Sequence, residues 1–217
     1  MAVAFTKIAF TPAVKAAQSR YGSRANYVQL ECAGDSGAEL GVQEIEFIQT
    51  RDSFYQATVS ETGWPYVQNR GGPAGFLQVL DAKTLAYADF RGNRQYVSVG
   101  NINADGRMAL ILMDYPNRLR LKVWGRAKVI DANNDPDLIA RLEMPAYRAR
   151  VERAVVIAVE AYDWNCPQHI TPRFTEAEIA TWAEALQQEL LALQEENARL
   201  KSELAQLFDT LRIKENK

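Results

Sequence analysis

A chain of 217 residues with 47% hydrophobic content is long enough for one substantial core plus an appendage, which excludes a small disulfide-stapled module. Its 25 Lys and Arg against 27 Asp and Glu leave a net charge of −2, which excludes a general attraction to nucleic acid or anionic membrane. Only two cysteines, Cys32 and Cys166, stand far apart, and Lys7, Thr11 and Pro12 break the opening apolar run before a signal-peptide core forms, so a cytoplasmic location is expected.

Thr11 before Pro12 reads as an N-cap and first helical residue, predicting a helix over 12–20. Ser36 and Glu39 have capping-box spacing, and Leu40, Ile45, Phe47 and Ile48 supply the apolar face of a second helix near 39–50. From residue 54 the pattern turns to strands. "FYQATVS" (54–60), "PYVQNR" (65–70), "FLQVL" (76–80) and "TLAYADF" (84–90) are separated by turn residues at Thr62-Gly63, Gly71-Gly72-Pro73 and Asp81. "RMALILMD" (107–114) reads as buried on both faces, "RLRLKVWGRAKVI" (118–130) alternates, and "RAVVIAVEAY" (153–162) is a continuous apolar run. Seven short strands with tight turns and few helices between them predict a mainly β, α+β fold built on an antiparallel barrel.

The last forty residues differ in kind. Thr175 and Glu178 form a capping box, and no Gly or Pro interrupts the helix that follows. Leucines at 186, 190, 193, 200, 204, 207 and 211 alternate in four- and three-residue steps, with Asn197 at the one skipped seam position. Leu190, Asn197, Leu204 and Leu211 take heptad position a; Leu186, Leu193, Leu200 and Leu207 take d; Glu196 (g) faces Lys201 (e) of a partner helix. The expected organisation is an N-terminal helical segment (1–50), a barrel (51–172) and a leucine-zipper-like dimerisation helix (173–217). The acidic "TEAEIATWAEALQQE" ahead of the seam excludes basic-zipper DNA binding.

Two stretches carry local positive charge. Arg91 and Arg94 flank a turn in which Asn93 would cap a short helix beginning at "QYVSVGNI", a corner suited to phosphate. On 118–130, Arg118, Arg120, Lys122, Arg126 and Lys128 share one strand face, which suits either an anionic ligand or plain solvent. The glycines of "RGGPAG" (70–75) lack a phosphate-binding fingerprint and read as a tight loop.

"FYQATVSETGWPYVQNRGG", then "TLAYADFRGNRQ" and "RLKVWGRAKVI", resemble the pyridoxamine 5′-phosphate oxidase-like flavoproteins, the FMN-binding split β-barrels, over about residues 41–131. The resemblance implies a homodimer with FMN at the subunit interface. It places Gln68, Asn69, Arg70 and Gly71 along the flavin ring, and Ala88 and Asp89 near the ribityl chain and phosphate. Asn93 and Arg94 fall where the family has two basic phosphate ligands, so Gln95 or Arg91 would compensate for the neutral residue. Arg120 falls where the family has a glutamine from the second subunit, and Lys122 lies beside it. The terminal segment that holds the substrate phosphate in the oxidase proper has no counterpart, so vitamin B6 oxidation is not implied.

The leading expectation is an FMN-dependent oxidoreductase with a small-molecule electron donor and acceptor, neither identified by the sequence. The alternative is a non-catalytic module carrying a flavin or haem-type cofactor, or docking a partner. Within "WNCPQHI" (164–170), Cys166 and His169 are too few ligands for zinc, and Pro167 disfavours the helix that would pair them. No metal site is expected. Pro167 and Pro172 end the last strand, and the resemblance leaves Trp164, Asn165, Gln168 and His169 as candidates to border the flavin's open face.

Overall fold

The computed structural model describes residues 2–31, 36–164 and 168–215, with side chains described as far as residue 206. Cys32, Asn165, Cys166 and Pro167 lie outside the described residues. The chain divides into two compact units, Met1–Thr171 and Pro172–Lys217.

The first unit holds helices α1 (Val3–Ala9), α2 (Pro12–Arg20), α3 (Arg24–Glu31), α4 (Val42–Gln49), α5 (Val97–Ala104) and α6 (Pro136–Leu142). Its strands are β1 (Ser53–Val59), β2 (Pro65–Gly71), β3 (Leu77–Asp81), β4 (Thr84–Phe90), β5 (Arg107–Asp114), β6 (Leu119–Asp131) and β7 (Val151–Trp164). They form one antiparallel seven-stranded sheet in the order β2-β1-β5-β6-β7-β4-β3, and β2 and β3 remain its two edges, so the sheet is not closed. The β1–β2 hairpin turns at Gly63, whose N–H donates to Ser60 O (2.8 Å) at φ 84. "RGGPAG" is a tight loop, with Gly72 and Gly75 N–H donating to the carbonyls of Asp52 (2.9 Å) and Arg51 (3.0 Å).

Period-two alternation builds the core. Phe54, Leu85, Tyr87, Leu110, Leu112, Leu121, Val123, Val155 and Ile157 face one interior, closed at one end by Phe47 and Ile48 of α4. Across the sheet, Ala86, Ala88 and Ala154 pack under Ile139 and Leu142 of α6. The strand buried on both faces is therefore β4. This corrects the expectation for β5, which alternates between a buried face and an outer face on which Ile111 is exposed. Gly125 sits at an irregularity in the β6–β7 ladder, where a Cβ would stand 2.3 Å from Ala158 O.

Three further local expectations differ. The 39–50 helix starts at Val42, and the reciprocal contact is Gly41 N–H to Glu44 Oε2 (3.0 Å), while Ser36 Oγ accepts from Val3 N (3.3 Å) and Glu39 pairs with Lys83 (3.0 Å). Leu40 is buried but precedes the helix. Asn93 does not cap α5: its Oδ1 accepts from Gln95 N (3.1 Å), a short-range turn that competes with capping, and the helix is entered through Tyr96 in a left-handed conformation (φ 56). Two helices besides α2 and α4, namely α1 and α3, form in the N-terminal segment; Phe5 of α1 packs on Trp124 at 4.6 Å and covers the outer face of β6.

The second unit is α7 (Glu176–Glu215) with its lead-in. Thr175 N–H and Oγ1 both donate to Glu178 Oε2 (2.7 and 3.0 Å), and Glu178 N–H donates back to Thr175 Oγ1 (3.3 Å), the expected capping box. Among the described residues no helix is long and apolar enough to cross a membrane, and no cluster of His, Cys, Asp and Glu could hold a metal ion.

Candidate functional site

The core-facing rows of β2, β4 and β7 change from apolar to polar where the end of β2 meets the paired ends of β4 and β7. On β4 the row Leu85, Tyr87 ends in Asp89; on β7 the row Ile157, Val155 ends in Arg153, the register partner of Asp89. On β2 the same face carries Tyr66, Gln68 and Arg70, opposite Thr58, Gln56 and Phe54 of β1. A cleft of about 220 Å³ opens there, lined among others by Gln68, Arg70, Asp89, Arg94, Ser98 and Arg153.

Asp89 organises the floor. Its buried carboxylate accepts from Arg70 Nη1 (2.7 Å) on one oxygen and from Arg153 Nη1 (2.8 Å) on the other. Arg153 Nη2 donates to Glu152 Oε2 (3.0 Å), and its guanidinium lies 4.8 Å over the Tyr96 ring. Burial opposes the charge on Arg153, but Asp89, Tyr96 and Glu152 outweigh it and hold its pKa above the usual value. Behind Arg70, Tyr87 donates to Gln56 Oε1 inside the core, and burial pushes the Tyr87 phenol well up. Arg70 Nε is buried without a hydrogen-bond partner among the described residues, so this floor has an unspent donor.

The wall is α5. Asn101 Nδ2 donates to the buried Thr58 hydroxyl (3.0 Å) and Ser98 Oγ donates to Gln68 Oε1 (3.0 Å), which fixes the helix over β1 and β2. Its first residues, Val97, Ser98 and Val99, line the cleft with Arg94 beside them, so helix amides and a guanidinium converge there. With three arginines against Asp89 and Glu152, the lining carries a net charge of about +1.

Six of the expected cofactor residues, Gln68, Arg70, Asp89, Asn93, Arg94 and Gln95, come together in this cleft. Asn69 and Gly71 alternate to the outer face of β2, and Ala88 packs under α6. Arg91 stands outside the cleft, 3.7 Å from Glu152. Arg120 and Lys122 alternate with the buried Leu121 and Val123 and face outward from β6, where Lys122 pairs with Asp163 (3.3 Å) and lies 4.6 Å over the Phe5 ring. Arg126 pairs with Glu160 (2.9 Å), so at these two positions internal carboxylates compensate the cationic face. Trp164 sits beside Lys122, donating from Nε1 to Glu44 (2.6 Å) and meeting Phe47 edge-on. It is separated from Arg153 by the length of β7, about 36 Å at ~3.3 Å per residue. Gln168 and His169 (φ 64) are exposed in a turn just beyond.

Tyr66, Tyr96, Ser98, Glu152 and Arg153 also line the cleft, beyond the residues expected from the sequence. Arg153 had a visible signal, since a charge in phase with Val155 and Ile157 on a core row needs a buried partner.

Residues 43–165 match the family model described as pyridoxamine 5′-phosphate oxidase. No curated protein matches significantly. The chain is similar to solved structures of HupZ from Group A Streptococcus (19% identity, 62% of this chain and 100% of that one, TM-score 0.43). It is also similar to a Clostridium acetobutylicum protein related to general stress protein 26 (15%, 64% and 95%, TM-score 0.45) and to an FMN-binding protein of Syntrophomonas wolfei (12%, 68% and 97%, TM-score 0.42). Because the family match spans more than half of the sequence, the chain belongs to the pyridoxamine 5′-phosphate oxidase family.

Proposed function

We propose that the protein binds FMN in the β2–β4–α5 cleft and works as an FMN-dependent oxidoreductase. One observation carries this reading: in a member of this family, the cleft joins an anion-binding corner at Arg94 and the α5 N-terminus to a buried floor with an unsatisfied Arg70 Nε. That donor set fits a phosphate at one end and a polar ring edge or ribityl chain at the other. When bound, FMN supplies the capacity to take up and return a hydride or electrons, and the protein's task is to bind, orient and tune it. Arg94 and the α5 amides hold the phosphate; Gln68 and Arg70 orient the remainder; Asp89 keeps Arg70 and Arg153 in place.

The functional unit is a homodimer. Val67, Tyr55 and Ile111 are 61%, 41% and 37% exposed on the outer face of β2, β1 and β5, a row of apolar side chains left uncovered in one chain. Arg120, whose Nε is buried without a partner among the described residues, alternates with the core residues Leu121 and Val123 and so faces away from its own cleft; it would serve the second chain's, as would Trp164 or His169. With only two cysteines and no extended apolar helix among the described residues, a reducing, cytoplasmic setting suits the chain. The test is reconstitution: protein loaded with FMN should turn yellow and bleach with a reduced nicotinamide donor. Failure to take up FMN contradicts the reading, and uptake without reduction by any donor contradicts its catalytic half.

A further inference from the structure

We propose that α7 is one strand of a parallel, in-register, two-stranded coiled coil formed with a second copy of this chain, a self-association surface separate from the sheet face. The helix runs 40 residues, about 60 Å at ~1.5 Å per residue. Leu186, Leu190, Leu193, Leu200 and Leu204 stand 66%, 55%, 55%, 51% and 54% exposed on it. They form one seam with a 3.5-residue period, far narrower than the face a helix turns toward a globular core. Leu207 and Leu211 extend the same spacing in the sequence.

Asn197 decides the partner and the direction. An amide buried in a leucine seam costs free energy unless another amide meets it at the same level. In a parallel, in-register pair, position a faces position a, so Asn197 meets the Asn197 of the second copy. In an antiparallel pair, position a faces d, and the amide meets leucine. A partner of different sequence offers no such match by default. Charge agrees with this arrangement. Glu196 at g is placed to reach Lys201 at e of the other strand in the parallel register, while Arg199 braces its own helix through Glu196 (3.8 Å) and Glu203 (3.7 Å). The capping box at Thr175 and Glu178 sets where the helix begins in both copies, and a parallel coil then joins the two preceding domains at the same end.

The full-length chain with Cys32→Ser and Cys166→Ser provides a background free of native thiols. Adding Asn197→Cys should give rapid, near-complete disulfide-linked dimer under mild oxidation, because facing a positions lie within disulfide reach. Adding Ser202→Cys instead, at the outward f position, should cross-link at least tenfold more slowly. Glu196→Lys should make the dimer dissociate on dilution at several-fold higher protein concentration, and Glu196→Lys with Lys201→Glu should restore it. Equal cross-linking of the two cysteine variants, or a monomeric background protein in sedimentation equilibrium at micromolar concentration, overturns the proposal. Neither readout requires flavin, so the coil and the FMN cleft stand or fall separately.

Discussion

Replacing Asp89 with asparagine should lower stability and raise anion affinity at the same time. The Asp89 side chain is 5% exposed and lies between Arg70 and Arg153, which are 17% and 12% exposed, at 2.7 and 2.8 Å. Both guanidiniums bond to this one carboxylate, and Arg153 keeps a second one in Glu152 (3.0 Å). Removing one partner of a buried pair costs about 3–5 kcal/mol, and because the substituted amide still offers an oxygen to one arginine, the lower end, about 3 kcal/mol, is expected. With a urea m-value of about 2–3 kcal/mol/M, the midpoint should fall by about 1–1.5 M. Meanwhile the cleft lining gains one net positive charge, so inorganic phosphate should bind more tightly to Asp89→Asn than to the parent. Saturating phosphate should also recover more stability for the variant, by mass action. Urea unfolding followed by tryptophan fluorescence, with and without phosphate, measures both effects. A midpoint shift below about 0.3 M, or weaker phosphate binding, would refute the view of Asp89 as the buried frame of a cationic cleft.

Gly125→Ala should destabilise the chain by about 1–3 kcal/mol or more in the same assay, because the new methyl would be forced onto Ala158 O, 2.3 Å away, and the β6–β7 ladder must part to admit it. Stability should also fall in alkali. Burial raises the Tyr87 and Tyr162 phenols, Glu44 adding to the effect at Tyr162, so the folded state holds protons that the unfolded state releases from about pH 10. Their contribution is complete below that pH and lost as pH rises through the raised values. Tyr87→Phe should flatten the decline between pH 10 and 11.5, at a cost near neutrality of about 1–3 kcal/mol for leaving Gln56 unpaired. At the acid end, the Arg107 hydrogen bonds lower Asp105 to about 2, so an Asp105→Asn variant should lose less stability than the parent as pH falls from about 4 toward 2.

The strands were legible because their signal is local. Alternation, short apolar runs and turn residues located all seven, and "TLAYADF" and "RMALILMD" coincide with β4 and β5. Which strand is buried twice was not legible, since that depends on where α6 docks, a matter of tertiary packing that leaves no mark on the strand itself. The entry to α5 was misplaced for a related reason. Asn93 has capping chemistry, but it spends its oxygen on a turn two residues on, and the left-handed residues Arg94 and Tyr96 carry the chain into the helix. Half of the expected cofactor set converges because those residues follow one another on β2, β4 and the turn after it. Arg120 and Lys122 do not join them because they alternate with the buried Leu121 and Val123 and face outward, and Trp164 stands eleven residues along β7 from Arg153. The Asp89–Arg153 pair that frames the cleft joins residues 64 positions apart, and only strand register brings them together.

The most direct test of the account is an equilibrium titration of the apoprotein with FMN and with riboflavin, following the quenching of flavin fluorescence in parent and Arg94→Ala. The parent should bind about one FMN per chain and prefer it over riboflavin. The variant should lose about 1.5–3 kcal/mol for FMN, roughly 10- to 100-fold, and almost nothing for riboflavin, since only the phosphate contact has gone. Equal affinity of the parent for both flavins, or no binding of either, would contradict the assignment of this cleft to FMN.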